Sequence, residues 1–193
     1  MSKLQILALG ITFVGIASHI AHGDGTITGT VDARPSKFLK DTIVYVKHVD
    51  GVKVTAKTID IDQKGLEFSP HIVLLAVGDA VKFHNHDKVD HNVMSADGGY
   101  DLGTWGGGQD KDHTFRTEGV FGQVCKLHPE MLAYVFVGQN RFASTVDEHG
   151  TFTIAGVPAG TYELEVWNPK LKAAAQKITV GTDKATARFT ITR

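Results

Sequence analysis

The chain has 193 residues and a net charge of −1, with 21 glycines, 5 prolines and a single cysteine. No basic patch or charge run stands out, so composition lacks the electrostatic footprint of a nucleic-acid-binding protein. One cysteine excludes a disulfide within the chain. The length fits one large or two small domains.

The amino terminus predicts a secretory signal peptide over residues 1–23. Lys3 precedes the apolar run LQILALGITFVGIA, and small residues at Ala17, Ala21 and Gly23 mark its end. The run is shorter than the roughly 20 apolar residues that a membrane-spanning helix needs. We therefore expect export to the periplasm and no stable membrane insertion after cleavage. An uncleaved anchor is the alternative.

The rest of the chain alternates apolar and polar residues in short runs, which predicts an all-β fold. Each run is bounded by Gly, Asp, Asn or Pro, and no long segment has the 3.6-residue period of a helix. Only short segments such as Pro129 to Leu132 are candidates for a helical turn. The predicted strands are, in chain order, 25–31, 41–49, 53–61, 71–77, 79–85, 91–95, 111–117, 121–125, 132–138, 151–157, 161–167, 173–181 and 186–193.

Two distant segments have a pattern in common with a known small β-sandwich. The first opens with GTITGTV, and the second contains the hairpin GTFTIAGVPAGTYELEV. Together they resemble the carboxypeptidase regulatory-like domain. We expect this second sandwich to consist of residues 24–51 and 141–193, with a domain of residues 52–140 inserted between them. The alternative is two tandem sandwiches, with the first strands belonging to the central one.

The central block holds a cluster of residues suited to a soft metal. The stretch CKLHPEM spaces Cys125, His128 and Met131 three residues apart, and His91 begins the predicted strand HNVMS. Two imidazoles, a thiolate and a weak axial thioether form the blue-copper donor set, which suits one copper ion cycling between Cu(I) and Cu(II). Pro129 stiffens the turn that lets the loop donors face one point. A buried, unreactive cysteine and a core-filling methionine are the alternatives.

These motifs resemble those of the cupredoxins, above all the amicyanin, pseudoazurin and plastocyanin group. EFSPHIVLLAVGDAVKFHNHD is similar to the family's approach strands, HNV to its first histidine and FGQVCKLHPEM to its ligand loop. The whole arrangement is also similar to methylamine-utilisation-protein-like chains. The resemblance implies a Greek-key β-sandwich or barrel, with His91, Cys125 and His128 as strong copper ligands and Met131 as the axial ligand.

The resemblance also implies roles for the neighbours of the ligands. Asn92 would form hydrogen bonds across to the ligand loop and support the thiolate. Leu127, His128 and Pro129 would form the docking patch through which the electron leaves. Two charged residues in the same loop, Lys126 and Glu130, make this patch less apolar than in the family.

The remaining histidines and the glycine-rich stretch are expected to be structural. The motif HNHD predicts a turn, which places His84 and His86 in that turn or on the surface. His71 and His113 belong to no motif. The stretch GTWGGGQD lacks the Lys and Ser of a phosphate-binding loop. We expect a flexible connection there, with Trp105 packed beneath it.

The sequence thus predicts a periplasmic type 1 copper protein that carries single electrons. No open coordination position and no acid–base pair beside the loop are implied, so we expect that the protein is not an enzyme. Expected partners are redox proteins such as a c-type cytochrome, a dehydrogenase or an oxidase. Two alternatives are a copper storage or delivery protein, which the spare histidines allow, and a non-redox interaction module with a silent metal site.

Overall fold

The computed structural model describes residues 24–97 and 99–193, and the predicted signal peptide lies outside them. Nearly all regular elements are strands, which confirms the prediction of an all-β fold. In this part of the chain, no helix has the length and hydropathy needed to cross a membrane. A short 3-10 helix spans Ser36–Asp41. The strands are β1 Gly25–Ala33, β2 Ile43–Val46, β3 Thr58–Gln63, β4 Phe68–Ser69, β5 Ile72–Ala76, β6 Ala80–Asn85, β7 His91–Ser95, β8 Asp101–Trp105, β9 Asp110–Thr114, β10 Gly119–Val124, β11 Leu132–Gly138, β12 Ala143–Thr145, β13 Thr151–Val157, β14 Gly160–Trp167, β15 Gln176–Val180 and β16 Lys184–Ile191.

Strands β3 to β11 form one β-sandwich, called the inner sandwich below. A five-stranded sheet in the order β5-β11-β10-β7-β8 faces a four-stranded sheet in the order β4-β3-β6-β9. The alternation in strand β6 shows which of its faces meets the other sheet, because Val81 and Phe83 are buried while Lys82 and His84 remain partly exposed. Buried side chains from both sheets share one apolar core.

Strands from the beginning and the end of the described chain form a second sandwich, called the outer sandwich. Strand β1 pairs antiparallel with β13 and parallel with β16, and β2 pairs antiparallel with β12 and β14. The sheets β13-β1-β16 and β12-β2-β14-β15 enclose a core of their own. Among the described residues, neither β1 nor β2 pairs with a strand of the inner sandwich.

An ion pair fastens the connection between β11 and β12 to the inner sandwich. The Arg141 guanidinium donates to both carboxylate oxygens of Asp79, at 2.5 and 2.7 Å, and to the Thr55 carbonyl at 2.7 Å. The fully buried Asp79 also accepts the N–H groups of Ala76 and Lys57. Burial acts to raise the pKa of Asp79, but the hydrogen bonds from Arg141 and the two N–H groups together hold this pKa below its usual value.

The structure differs from the sequence prediction in the short elements. The third predicted strand begins only at Thr58, and the 3-10 helix was not predicted. In the glycine-rich stretch, residues 103–105 belong to β8, and residues 106–109 form the turn that leads to β9. Gly108 has a φ of +77° there, and its N–H donates to the Asn85 carbonyl at 2.7 Å. Glycine is favoured at that φ because it has no Cβ. Trp105, which precedes the turn, is buried.

Candidate metal centre

Three of the four predicted ligands meet at one end of the inner sandwich. His91 begins β7, Cys125 directly follows β10, and His128 lies in the loop that leads to β11. The antiparallel pairing of β10 with β7 brings Cys125 beside the start of β7. One donor atom from each of the three side chains lies within 4.8 Å of the other two, so the group could hold a metal ion.

The two imidazoles face each other through their Nδ1 atoms, which are 3.1 Å apart. The Cys125 sulfur lies 3.7 Å from Nδ1 of His128. Nε2 of His91 lies 2.9 Å from Oδ2 of Asp87. Because a carboxylate only accepts, Nε2 of His91 carries the proton, and in the neutral ring Nδ1 keeps its lone pair for the cluster. The two Nδ1 atoms are also close enough for both to bind one shared metal ion.

Asp87 is itself held firmly by the backbone. The N–H groups of Gly65 and Leu66 donate to its two carboxylate oxygens, at 2.8 and 3.1 Å. Burial acts to raise the pKa of Asp87, but these N–H groups and His91 outweigh it and lower the pKa to about 2. A fixed carboxylate therefore stands behind His91. Sequence reasoning used Asp87 only as a sign of a turn and missed this contact.

Asn92 joins β7 to the ligand loop. Its backbone N–H points at the Cys125 sulfur from 3.3 Å, and its side-chain oxygen accepts the Lys126 N–H at 3.3 Å. Its side-chain amide donates to Oδ1 of Asp101 at 2.7 Å and to the Gly103 carbonyl at 2.9 Å. The Asn92 N–H can donate a hydrogen bond to the sulfur, and the side-chain bonds of Asn92 fix the direction of that N–H.

Met131 packs inside the molecule at the end of the ligand loop. Its side chain is 1 % exposed and belongs to the same buried apolar cluster as Cys125. Its N–H donates to the His128 carbonyl at 3.0 Å, which closes a turn around Pro129. From the sequence, Pro129 to Leu132 is a candidate helical turn, whereas the structure has a tight turn at residues 129–130 and Leu132 already begins β11.

The chain neighbours of His128 include exposed apolar side chains. His128 is partly exposed, and its neighbour Leu127 is 50 % exposed. Of the four exposed large apolar side chains in the described chain, Leu127, Val89 and Leu132 come from segments that flank the predicted ligands. The ammonium group of Lys126 is drawn to Asp101, 2.5 Å away, which offsets its charge beside this patch. We call the consecutive residues Leu127, His128 and Pro129, all at least partly exposed, the apolar patch.

His84 and His86 do not join the cluster. His84 lies within β6 rather than in the predicted turn, and its ring is held between Asp60 and Asp110, each 2.8 Å away. The hydrogen bond that the His84 ring donates to Asp60, supported by Asp110, outweighs the effect of burial and raises the pKa of His84. His86 follows β6, and its Nε2 lies 3.0 Å from Asp62.

The last two histidines named from the sequence also lie outside the cluster. His113 stacks on Tyr100, with 3.8 Å between ring centroids, and burial lowers the pKa of His113. His71 contacts Asp41 and the Leu132 carbonyl, each at 3.0 Å.

Among the solved structures similar to this chain is a purple cupredoxin from Nitrosopumilus maritimus, which is 26 % identical in sequence. The match covers 41 % of this chain and 98 % of the purple cupredoxin, with a TM-score of 0.38. A Cu(I) mutant of amicyanin is 24 % identical over 42 % of this chain and 81 % of its own, with a TM-score of 0.39. The copper-containing nitrite reductase NirK from Thermus scotoductus SA-01 is 20 % identical over 49 % of this chain and 25 % of its own, with a TM-score of 0.42. Each of these likenesses spans less than half of this chain.

The matching family model is that of polysaccharide lyase family 4, domain II, and it covers residues 136–188. These residues run from β11 into the outer sandwich. The match differs from the expected carboxypeptidase regulatory-like domain. Alternating strands joined by a tight turn specify a small β-sandwich, but they do not specify which one. No curated protein matches the chain.

Proposed function

We propose that the protein is a blue copper protein that carries single electrons between redox partners. His91, Cys125 and His128 would hold one copper ion, and Met131 would supply a weaker thioether donor. The observation that supports this proposal is the convergence of two imidazole nitrogens and a thiol within 4.8 Å. When bound, copper supplies a one-electron Cu(I)/Cu(II) couple, to which this donor set is suited.

The protein's own residues keep the donor atoms in place. His91 is fully buried and Cys125 is 3 % exposed, so water has little access to them. Asp87 fixes the ring of His91, and the Asn92 N–H fixes the sulfur. His91 lies in a paired strand and Cys125 directly follows one, so these donors should move little when the charge of the site changes. A small rearrangement favours electron transfer rather than chemistry on a substrate, and we therefore propose a carrier and not an enzyme.

The partly exposed ligand, His128, is the proposed route for the electron. It lies in the apolar patch, so a partner that covers this patch comes close to the ring. Apolar contact with few fixed ion pairs suits a short-lived complex of small area. The proposed partner is another redox protein, such as a c-type cytochrome, a dehydrogenase or an oxidase.

We place this activity in the periplasm because of the signal-peptide pattern at residues 1–23. A thiol without a disulfide partner survives best in an oxidising compartment when a metal or burial protects it. Cys125 is buried, and the proposed copper would protect its sulfur further.

The test is to add Cu(II) to the metal-free protein and record its absorption spectrum, with the metal content measured by mass spectrometry. We expect one copper per chain, intense blue colour and reversible voltammetry. Tight binding of colourless Cu(I) without a blue Cu(II) form would instead support storage or delivery. Failure to bind copper in either oxidation state would contradict the proposal and would support a non-redox interaction module instead.

A further inference from the structure

His71 bridges the two sandwiches with both nitrogens of its ring. Nδ1 lies 3.0 Å from the carbonyl oxygen of Leu132, and Nε2 lies 3.0 Å from Oδ1 of Asp41. Each ring nitrogen therefore lies within hydrogen-bond distance of an oxygen that can accept. Asp41 ends the 3-10 helix that follows β1, and its side chain is only 16 % exposed. The bridge thus runs from the outer sandwich to the first residue of β11.

A contact at Leu132 can affect the position of Met131, because Leu132 directly follows Met131 in the chain. The parallel pairing of β11 with β5 begins at Tyr134 and Ile72, so the Leu132 carbonyl lies beyond the end of that ladder. The His71 side chain supplies its hydrogen bond instead. One residue earlier, the Met131 N–H is bonded to the His128 carbonyl. The bridge therefore ends directly beside the turn that carries two of the proposed ligands.

The outer sandwich also supports the ring of His71 from a second direction. Tyr134 meets this ring edge-on, with centroids 5.5 Å apart. Tyr134 in turn contacts Trp167 of β14, with centroids 5.0 Å apart. Packing and hydrogen bonding together fix the position of His71 relative to both sandwiches.

We infer that His71 is a positioning residue through which the outer sandwich sets the place of Met131. The inference rests on the proposed copper function. The axial thioether tunes the balance between Cu(I) and Cu(II). If the bridge is cut, the turn at residues 128–132 loosens and the thioether interacts less with the copper. Cu(II) then loses an electron donor, so the reduction potential rises.

The test uses the full chain with His71→Ala, Asp41→Ala and the milder Asp41→Asn, which keeps an acceptor oxygen. His48→Ala is the matched control, because it removes an exposed histidine whose Nε2 lies 3.0 Å from Asp50. In metal-free protein, we expect amide exchange at Met131 and Leu132 to become about fivefold faster in both alanine variants, the effect of one lost hydrogen bond. Asp41→Asn should fall between them and the native protein, and His48→Ala should leave exchange unchanged.

With copper bound, both alanine variants should raise the reduction potential and change the ratio of the two main absorption bands, whereas His48→Ala should change neither. Native exchange rates and an unchanged potential in both alanine variants would overturn the inference. Faster exchange throughout the inner core would also overturn it, because His71 would then serve general stability. If the native protein never turns blue, the proposed function fails, and the exchange at Met131 and Leu132 still decides whether His71 holds the loop.

Discussion

Oδ2 of Asp87 lies 2.9 Å from Nε2 of His91, and this contact decides which nitrogen of the ring faces Cys125. The Asp87 carboxylate cannot turn freely with the His91 ring, because the N–H groups of Gly65 and Leu66 hold it in place. A carboxylate behind a histidine in this way orients the ring and makes its free nitrogen a better donor.

Asp87→Asn should therefore weaken copper binding by about 10–100-fold, the usual effect of removing such a partner. The amide keeps the size of the side chain but loses the charge. Competition for copper with a chelator measures the change. Asp62→Asn is the control, since Asp62 contacts His86 and none of the proposed ligands. Equal affinity in the Asp87 variant and this control would contradict the role of Asp87.

Cys125→Ser should abolish the blue colour and leave the fold largely intact. Cys125 is the only cysteine in the chain, and sulfur-to-copper charge transfer needs a thiolate. Serine is close in size, so the strands beside it should stay paired. Absorption spectra and circular dichroism check the two parts of this prediction. Strong absorption in the red with Cu(II) would show that copper binds elsewhere.

Met131→Gln should keep copper but lower the reduction potential, because an oxygen donor on the axis favours Cu(II) over Cu(I). Cyclic voltammetry of the variant and the native protein measures the difference. Met94→Gln is a useful control, because Met94 lies in β7 and is not a proposed ligand. If Met131→Gln leaves the potential at its native value, Met131 only fills the core.

Arg141→Met should destabilise the metal-free protein by about 3 kcal/mol, the lower end of the cost of breaking a buried ion pair. The Arg141 side chain is 32 % exposed, which limits the loss. Arg34→Met, which removes an exposed partner of Asp32, should cost less than about 1 kcal/mol. Urea unfolding of the variants and the native protein compares the costs. Similar losses of unfolding free energy in both variants would show that the Arg141–Asp79 pair stabilises the fold no more than an exposed ion pair does.

The same ion pair predicts a pH dependence. The folded pKa of Asp79 is lowered, so its contribution to stability is complete above the usual aspartate pKa of about 4. It is lost as the pH falls from there through the folded pKa. Arg141→Met should make acid unfolding less steep in that range. Urea unfolding at several pH values in the metal-free protein measures this slope, and an unchanged slope would contradict the assignment.

The parts of the molecule that could be predicted from the sequence are those that depend on local sequence patterns, such as hydrophobic alternation and the spacing of donor residues. Alternation in AVKFHN predicts the buried face of β6, and the spacing in CKLHPEM predicts donors that face one point. The contact of Asp87 with His91 has no such signal, because it depends on how a loop folds. The bridge from Asp41 through His71 depends on packing between two sandwiches, whose relative position no local pattern records.

We predict that a fragment of residues 52–140 is soluble and turns blue with Cu(II). Its strands, β3 to β11, pair with one another among the described residues. A fragment of residues 52–142 should be more stable by about 3 kcal/mol, because it regains Arg141 as the partner of Asp79. A fragment of residues 24–140 should aggregate, since β1 and β2 would lack their partners. Good behaviour of 24–140 together with insoluble 52–140 would support the tandem arrangement instead.

The pairing of β1 with β16 also has a consequence for the order of folding. Thr26 pairs with Lys184, so β1 cannot complete its pairing until β16, which lies far along the chain, is available. Contacts between such distant parts of a chain form slowly. The inner sandwich lies between them in sequence, and once it folds it shortens the flexible loop that must be closed. The inner sandwich should therefore fold first, and β1 and β2 should remain open edges, exposed to chaperones and to other chains, until β12 to β16 are available to pair with them.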